Sequence, residues 1–144
     1  MGLSPGTRLG AYEIVSPIGA GGMGDVYRAR DTRLARDIAV KVLPEHFLEG
    51  EKLKARFERE AKLLAALNHP NIAAIHSFEE ISGRHILVME LLEGTTLRDR
   101  LGSGSIPLKE AVDYALQIAK GLSAGHEKGI VHRDLKPENL FVSK

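Results

Sequence analysis

Chemistry in this 144-residue sequence concentrates in a few clusters. The first is Gly19-Ala20-Gly21-Gly22-Met23-Gly24-Asp25-Val26, with glycines at its first, third and sixth positions. A backbone without Cβ atoms can bring its N–H groups close to a phosphate. The same glycines also suit an ordinary hairpin turn. The second is Lys41, the lone lysine in Asp37-Ile38-Ala39-Val40-Lys41-Val42-Leu43. An ammonium among β-branched neighbours is costly to bury without an anion, and nucleotide phosphates or a carboxylate would serve. A lysine that snorkels to water is the plainer alternative. The third is Glu60, on the flank of a helical apolar stripe, which can face inward to Lys41 or pair with Arg56 four residues back. The fourth is the polar segment His132-Arg133-Asp134-Leu135-Lys136-Pro137-Glu138-Asn139.

The elements around these clusters decide between the known phosphate loops. Residues 12–18 read as a strand, and residues 26–30 alternate apolar and polar side chains as a second strand. Residues 37–43 form a β-branched run stopped by Pro44. From 51 to 67 the period becomes helical, with Leu53, Phe57, Ala61, Leu64 and Leu67 on one stripe and Asn68-His69-Pro70 closing it. Residues 72–78 and 85–91 read as two more strands, joined by a turn at Ser82-Gly83. Five strands with one inserted helix imply an antiparallel sheet carrying a helix. Beyond it, residues 94–101 hold a short helix, Gly102-Ser103-Gly104-Ser105 is a loop, and a long helix runs from Pro107 to about Glu127. A P-loop requires Lys then Ser or Thr after its last glycine, where Asp25 and Val26 stand. A dinucleotide fingerprint requires its glycines to open a helix, and a strand follows instead. A glycine loop bridging two antiparallel strands remains.

Residues 132–139 then match the catalytic-loop pattern His-Arg-Asp-Leu-x-x-x-Asn at every specified position. With Lys136 and Pro137 counted, seven specified positions match. By chance this would occur on the order of once in ten million such sequences. Placed after the glycine loop, the strand lysine and the helix glutamate, this segment makes the chain resemble a protein kinase. It is most similar to the bacterial Ser/Thr kinases that share the eukaryotic fold. The resemblance implies an α+β, protein-kinase-like fold: a five-stranded antiparallel N-lobe sheet with one helix, then the first helices and catalytic loop of an incomplete helical C-lobe. It divides the chain into an N-terminal extension at 1–11, an N-lobe at 12–91, and the hinge and start of the C-lobe at 92–144.

The resemblance also implies roles. Gly19, Gly21 and Gly24 cover the phosphates of ATP, Val26 packs on the adenine and Ala39 roofs it. Lys41 holds the α- and β-phosphates and pairs with Glu60. Met89 takes the gatekeeper position, Glu90 and Leu92 offer backbone groups to the adenine edge, and Phe141 forms a floor bulkier than the leucine of many kinases. Asp134 orients the substrate hydroxyl and accepts its proton, Lys136 stabilises the transferring phosphoryl group, and Asn139 binds one Mg²⁺. His132 packs beneath the loop, and Arg133 marks kinases whose phosphorylated activation loop docks on that arginine. The implied partners are ATP and a protein substrate bearing Ser or Thr.

Composition supports this and excludes other classes. Twenty basic against nineteen acidic residues give a net charge of +1, without the basic excess of a nucleic-acid binder. The arginines at 28, 30, 33 and 36 read as a solvated face. Zero cysteines exclude disulfides, thiolate metal sites and a cysteine nucleophile. His46, His69, His76, His85 and His126 lack metal-ligand spacing and read as loop or surface residues. No apolar run approaches the roughly 18 residues of a membrane span. Gly6 stands where a myristoylation signal requires Ser or Thr. The expected location is the cytoplasm, with a longer parent free to carry an anchor. The family continues to Asp-Phe-Gly, an activation loop and more helices, none of which lies within these residues. The expectation is therefore a truncated Ser/Thr kinase domain, inactive alone, with an apolar stripe of the long helix (Val112, Ala115, Ala119, Leu122) uncovered. The alternative is a non-catalytic ATP-binding or interaction module.

Overall fold

A computed structural model describes residues 2–21, 24–132 and 135–144. The chain divides into two compact units, one of residues 1–66 with 74–91, the other of residues 67–73 with 92–144.

The first unit is built on β1 (Arg8–Leu9), β2 (Tyr12–Gly21), β3 (Gly24–Asp31), β4 (Arg36–Val42), β5 (Ile75–Ile81) and β6 (Arg84–Met89). They form one antiparallel sheet in the order β1-β2-β3-β4-β6-β5. The expected five strands thus become six among the described residues. The added strand is β1, two residues too short to show a period. Residues 2–11 are not a free extension. Ser4-Pro5-Gly6-Thr7 makes a turn closed by the Thr7 N–H on the Ser4 carbonyl (3.1 Å), with Gly6 at φ 87° as a type II turn requires. The Gly6 N–H then bonds the Ile14 carbonyl (2.8 Å), and the Leu3 N–H bonds the Tyr27 hydroxyl (2.8 Å).

The core lies on one sheet face, where Ile14, Ile38, Val40, Ile86 and Val88 are almost fully buried beside Tyr12, Tyr27 and Ala29. Helix α1 (Glu51–Ala65) stops two residues short of the expected 67. It is fastened to the sheet by aromatic contacts: Phe57 lies 5.2 Å from Phe78, which stacks on His85 at 5.9 Å. His85 is therefore no surface residue; its Nδ1 is buried without a hydrogen-bond partner among the described residues. His69 does serve a turn, accepting the Asn71 N–H at Nδ1 (3.1 Å).

In the second unit, the expected short helix at 94–101 resolves into β7 (Gly94–Thr96) and α2 (Leu97–Gly102). Thr96 caps α2 by accepting the Asp99 N–H on its hydroxyl (3.1 Å). A long helix, α3 (Leu108–Glu127), follows, and then β8 (Phe141–Ser143), which pairs with β7. The segment 67–73 belongs here because Asn71 packs on α3: its amide bonds Gln117 (3.0 Å), and a Cβ on the buried Gly121 would lie 3.1 Å from its carbonyl oxygen. On α3, Leu108, Val112 and Leu116 are exposed. Among the described residues no helix is long and apolar enough to cross a membrane.

One turn carries removable strain. Asp31 accepts the N–H groups of Arg33 (3.0 Å) and Leu34 (3.2 Å), and Ala35 follows at φ 53°. A left-handed alanine costs roughly 1–2 kcal/mol, of which glycine gives part back through its freer unfolded chain. Ala35→Gly is expected to stabilise the protein by about 0.5–1 kcal/mol. A urea midpoint that rises at unchanged slope would confirm this, and an unchanged or lower midpoint would refute it.

Candidate functional site

Opposed residues of an antiparallel pair project to the same face, and neighbours along a strand alternate. Val26 opposes Lys41, Ala39 opposes Met89, and Gly19 opposes Val26. Val26, Ala39, Lys41 and Met89 therefore share one face of the sheet. Tyr27, Ile38, Val40 and Val88, one step along, fill the core on the other. Four of the residues expected at the nucleotide are thus placed on one face by register alone.

The glycines divide by role. Gly24 has φ 118°, and a Cβ there would overlap the Val42 carbonyl oxygen, so the hairpin itself requires glycine. A Cβ on Gly19 would meet nothing within 4 Å. Nothing in the described chain demands a glycine at 19, which suits a backbone left bare for a ligand. Gly21 opposes Gly24 in the ladder, and residues 22 and 23 lie outside the described ones.

Lys41 is half-buried, and this partial burial holds its ammonium pKa below the usual 10.5. It forms no salt bridge with a described residue. The expected Lys41–Glu60 pair is not made here. Glu60 instead accepts from Arg56 Nε (3.2 Å), and both side chains are 49% exposed. A carboxylate half in water gains more simply from a partner one helical turn away than from reaching a desolvated strand. Among the arginines, Arg28 and Arg30 both bond Asp37 and hold its carboxyl below the usual range. Glu90 gives its N–H to the Ala74 carbonyl (2.8 Å) and accepts the Ala74 N–H on its carboxylate (3.0 Å). A separate cavity of about 430 Å³ between α1 and β5, lined by residues such as Glu58, Lys62 and His76, holds none of the expected site residues.

In the second unit, Pro137–Asn139 is a single 3-10 turn entered from extended Lys136. Proline at its first position presets the helical φ. The Asn139 N–H bonds the Lys136 carbonyl (2.9 Å), so backbone hydrogen bonding fixes these two expected residues relative to each other. Arg98 Nη1 stands 3.6 Å from Glu138 Oε1. Phe141 opposes Thr96 in the β7–β8 ladder, and Leu92 lies in the loop just before β7. Asp134 and Arg133 lie outside the described residues. Sequence reasoning missed Gly94, which lies against Val142 and Ser143, and Arg98, which stands beside Glu138. Their only signal was a glycine preceding two threonines.

An apolar residue at 41 should relieve the burial penalty. Lys41→Met is expected to raise stability, by of order 1 kcal/mol because the group keeps some water. The native pKa is lowered, so the unfolded chain binds more protons between that value and 10.5. Wild-type stability should gain from this group as pH rises through that window, and the gain should vanish in Lys41→Met. Thermal melts across alkaline pH test this; a destabilised variant or an identical slope would contradict it.

Comparison with known proteins agrees with this geometry. A family model described as "Protein kinase domain" matches residues 12–144. The Serine/threonine-protein kinase pkn2 of Myxococcus xanthus is 44% identical over 135 residues, covering 94% of this chain and 16% of the relative. PknD of Mycobacterium tuberculosis is 39% identical over 139 residues, covering 96% of this chain and 21% of the relative. The chain thus spans about a fifth of the length of such curated relatives. The crystal structure of a cysteine-to-alanine mutant of the Mycobacterium tuberculosis PknI kinase domain superimposes with a TM-score of 0.87 at 27% identity, covering 100% of this chain and 59% of that one. Register, loop motif, family model and fold agree, and the chain belongs to the protein kinase domain family.

Proposed function

We propose that the protein transfers the γ-phosphate of ATP to Ser or Thr hydroxyls of proteins. One observation carries the reading: a half-buried ammonium without a described counter-ion, on the same sheet face as Val26, Ala39 and Met89. A half-buried cation of this kind is stabilised by an anion. An apolar face beside it suits a purine. The residues present therefore fit ATP, with Gly19 leaving the backbone open near the phosphates.

In this mechanism Lys41 binds the α- and β-phosphates, and Ala39 and Val26 exclude water from the base. Asp134 orients the substrate hydroxyl and accepts its proton on a carboxylate oxygen as the oxygen bonds the γ-phosphorus and the bond to the β-phosphate oxygen breaks. Lys136 neutralises charge on the moving phosphoryl group. Asn139 offers a hard amide oxygen that suits Mg²⁺, and the metal supplies further charge neutralisation when bound. Most of the rate then comes from positioning and electrostatics. The names of the relatives, Ser/Thr protein kinases, support the substrate class. The second reading, a non-catalytic ATP-binding or interaction module, draws on the Arg56–Glu60 pair, which leaves Lys41 without its carboxylate.

The full-length protein decides between them. Transfer of labelled phosphate to a Ser/Thr-bearing protein should fall by at least about 100-fold in Asp134→Asn. Calorimetric ATP binding should survive in that variant and be lost in Lys41→Met. Undiminished transfer by Asp134→Asn would refute the assignment, and ATP binding with no transfer by the wild type would establish the module.

A further inference from the structure

The strand that follows Asn139 is held by a segment that the catalytic-loop motif does not include. Gly94, Thr95 and Thr96 oppose Ser143, Val142 and Phe141. The ladder is closed at both ends, by the Leu97 N–H on the Leu140 carbonyl (2.8 Å) and the Lys144 N–H on the Glu93 carbonyl (3.0 Å). Arg98 adds a charge contact to Glu138. This contact is exposed, and pairs of that kind contribute little. The backbone clamp is therefore the stronger tether on residues 138–144.

Gly94 makes the clamp possible. Its φ is 146°, and a Cβ would overlap the Val142 carbonyl oxygen and lie 3.0 Å from Ser143 Cα. Both obstacles are backbone, so no rotamer change relieves them. Any side chain at 94 must push β8 away from β7. Asn139 and Phe141, at and just beyond the 3-10 turn, would move with it.

We infer that Gly94 is a positioning residue for the phosphotransfer site: it allows residues 93–97 to clamp residues 140–144, and so fixes where Asn139 presents its amide oxygen and Phe141 its ring. This rests on the kinase reading of Asn139. Gly94 itself touches no substrate in this account.

The test uses the full-length protein, with two readouts. The first is hydrogen exchange at the Lys144 amide, with the Val40 and Val88 amides as controls in the other unit. The second is the gain in ATP affinity on adding Mg²⁺. Gly94→Ala should lose at least tenfold of Lys144 protection with the controls unchanged, and most of the Mg²⁺-linked gain. Leu97→Pro guards against a variant that fails to fold. Proline suits the first position of α2, after Thr96 at ψ 155°, yet deletes the N–H given to Leu140. It should weaken both readouts in the same direction. Unchanged Lys144 protection in both variants would overturn the clamp. Lost protection with an unchanged Mg²⁺-linked gain would overturn the positioning role. A wild type that binds no ATP would sink the kinase reading instead, leaving the exchange comparison to judge the clamp alone.

Discussion

The register of β4 between β3 and β6 is the constraint on which the rest depends. Ile38 and Val40 point into a core shared with Ile14, Ile86 and Val88, and all five are almost completely buried. Each contributes roughly 1.5–3 kcal/mol by leaving water. Slipping the strand by one residue would exchange its faces and forfeit several such contributions at once. That sum exceeds the cost of partly desolvating one ammonium. Lys41 is therefore carried to the opposite face with Ala39, whether or not an anion is there to meet it. The apolar core sets the position of the charge, and leaves it where an anion would stabilise it.

The second unit solves a different problem with backbone. Its expected chemical groups sit on a short turn with no buried residue of its own. Order there comes from hydrogen bonds and pairing: Pro137 presets the turn, the Asn139 N–H closes it, and β7 holds the strand beyond. The Phe57–Phe78–His85 stack fastens α1 to the sheet, while Glu60 is turned to Arg56. The helix is thus fixed at its aromatic residues without its glutamate being committed to the strand lysine.

Much of this was legible in the sequence because it is local. Alternation in β3 and the β-branched run of β4 placed Lys41 within an apolar strand, the helical stripe placed α1, and the eight residues from His132 carried the resemblance to the kinase family that the family model shows. What stayed hidden depended on distant partners. β1 is two residues long and exists because β2 offers an edge. The segment 67–73 read as a helix end and the start of a strand, yet it packs on α3 through Asn71, far away in sequence. Gly94 read as the start of a short helix; only its closeness to Val142 gives it a role. The Lys41–Glu60 pair came from the family resemblance; the residues themselves also offered Arg56 one helical turn away, and that is the pair the structure makes.

The most direct test of the central claim is the titration of the Lys41 side chain itself, by carbon-detected NMR of lysine labelled at Cε, with and without ATP. Free protein should show an ammonium pKa below the usual 10.5. Saturating ATP should raise it, because phosphate favours the charged form. A Lys41 pKa that does not move when ATP binds would contradict the account.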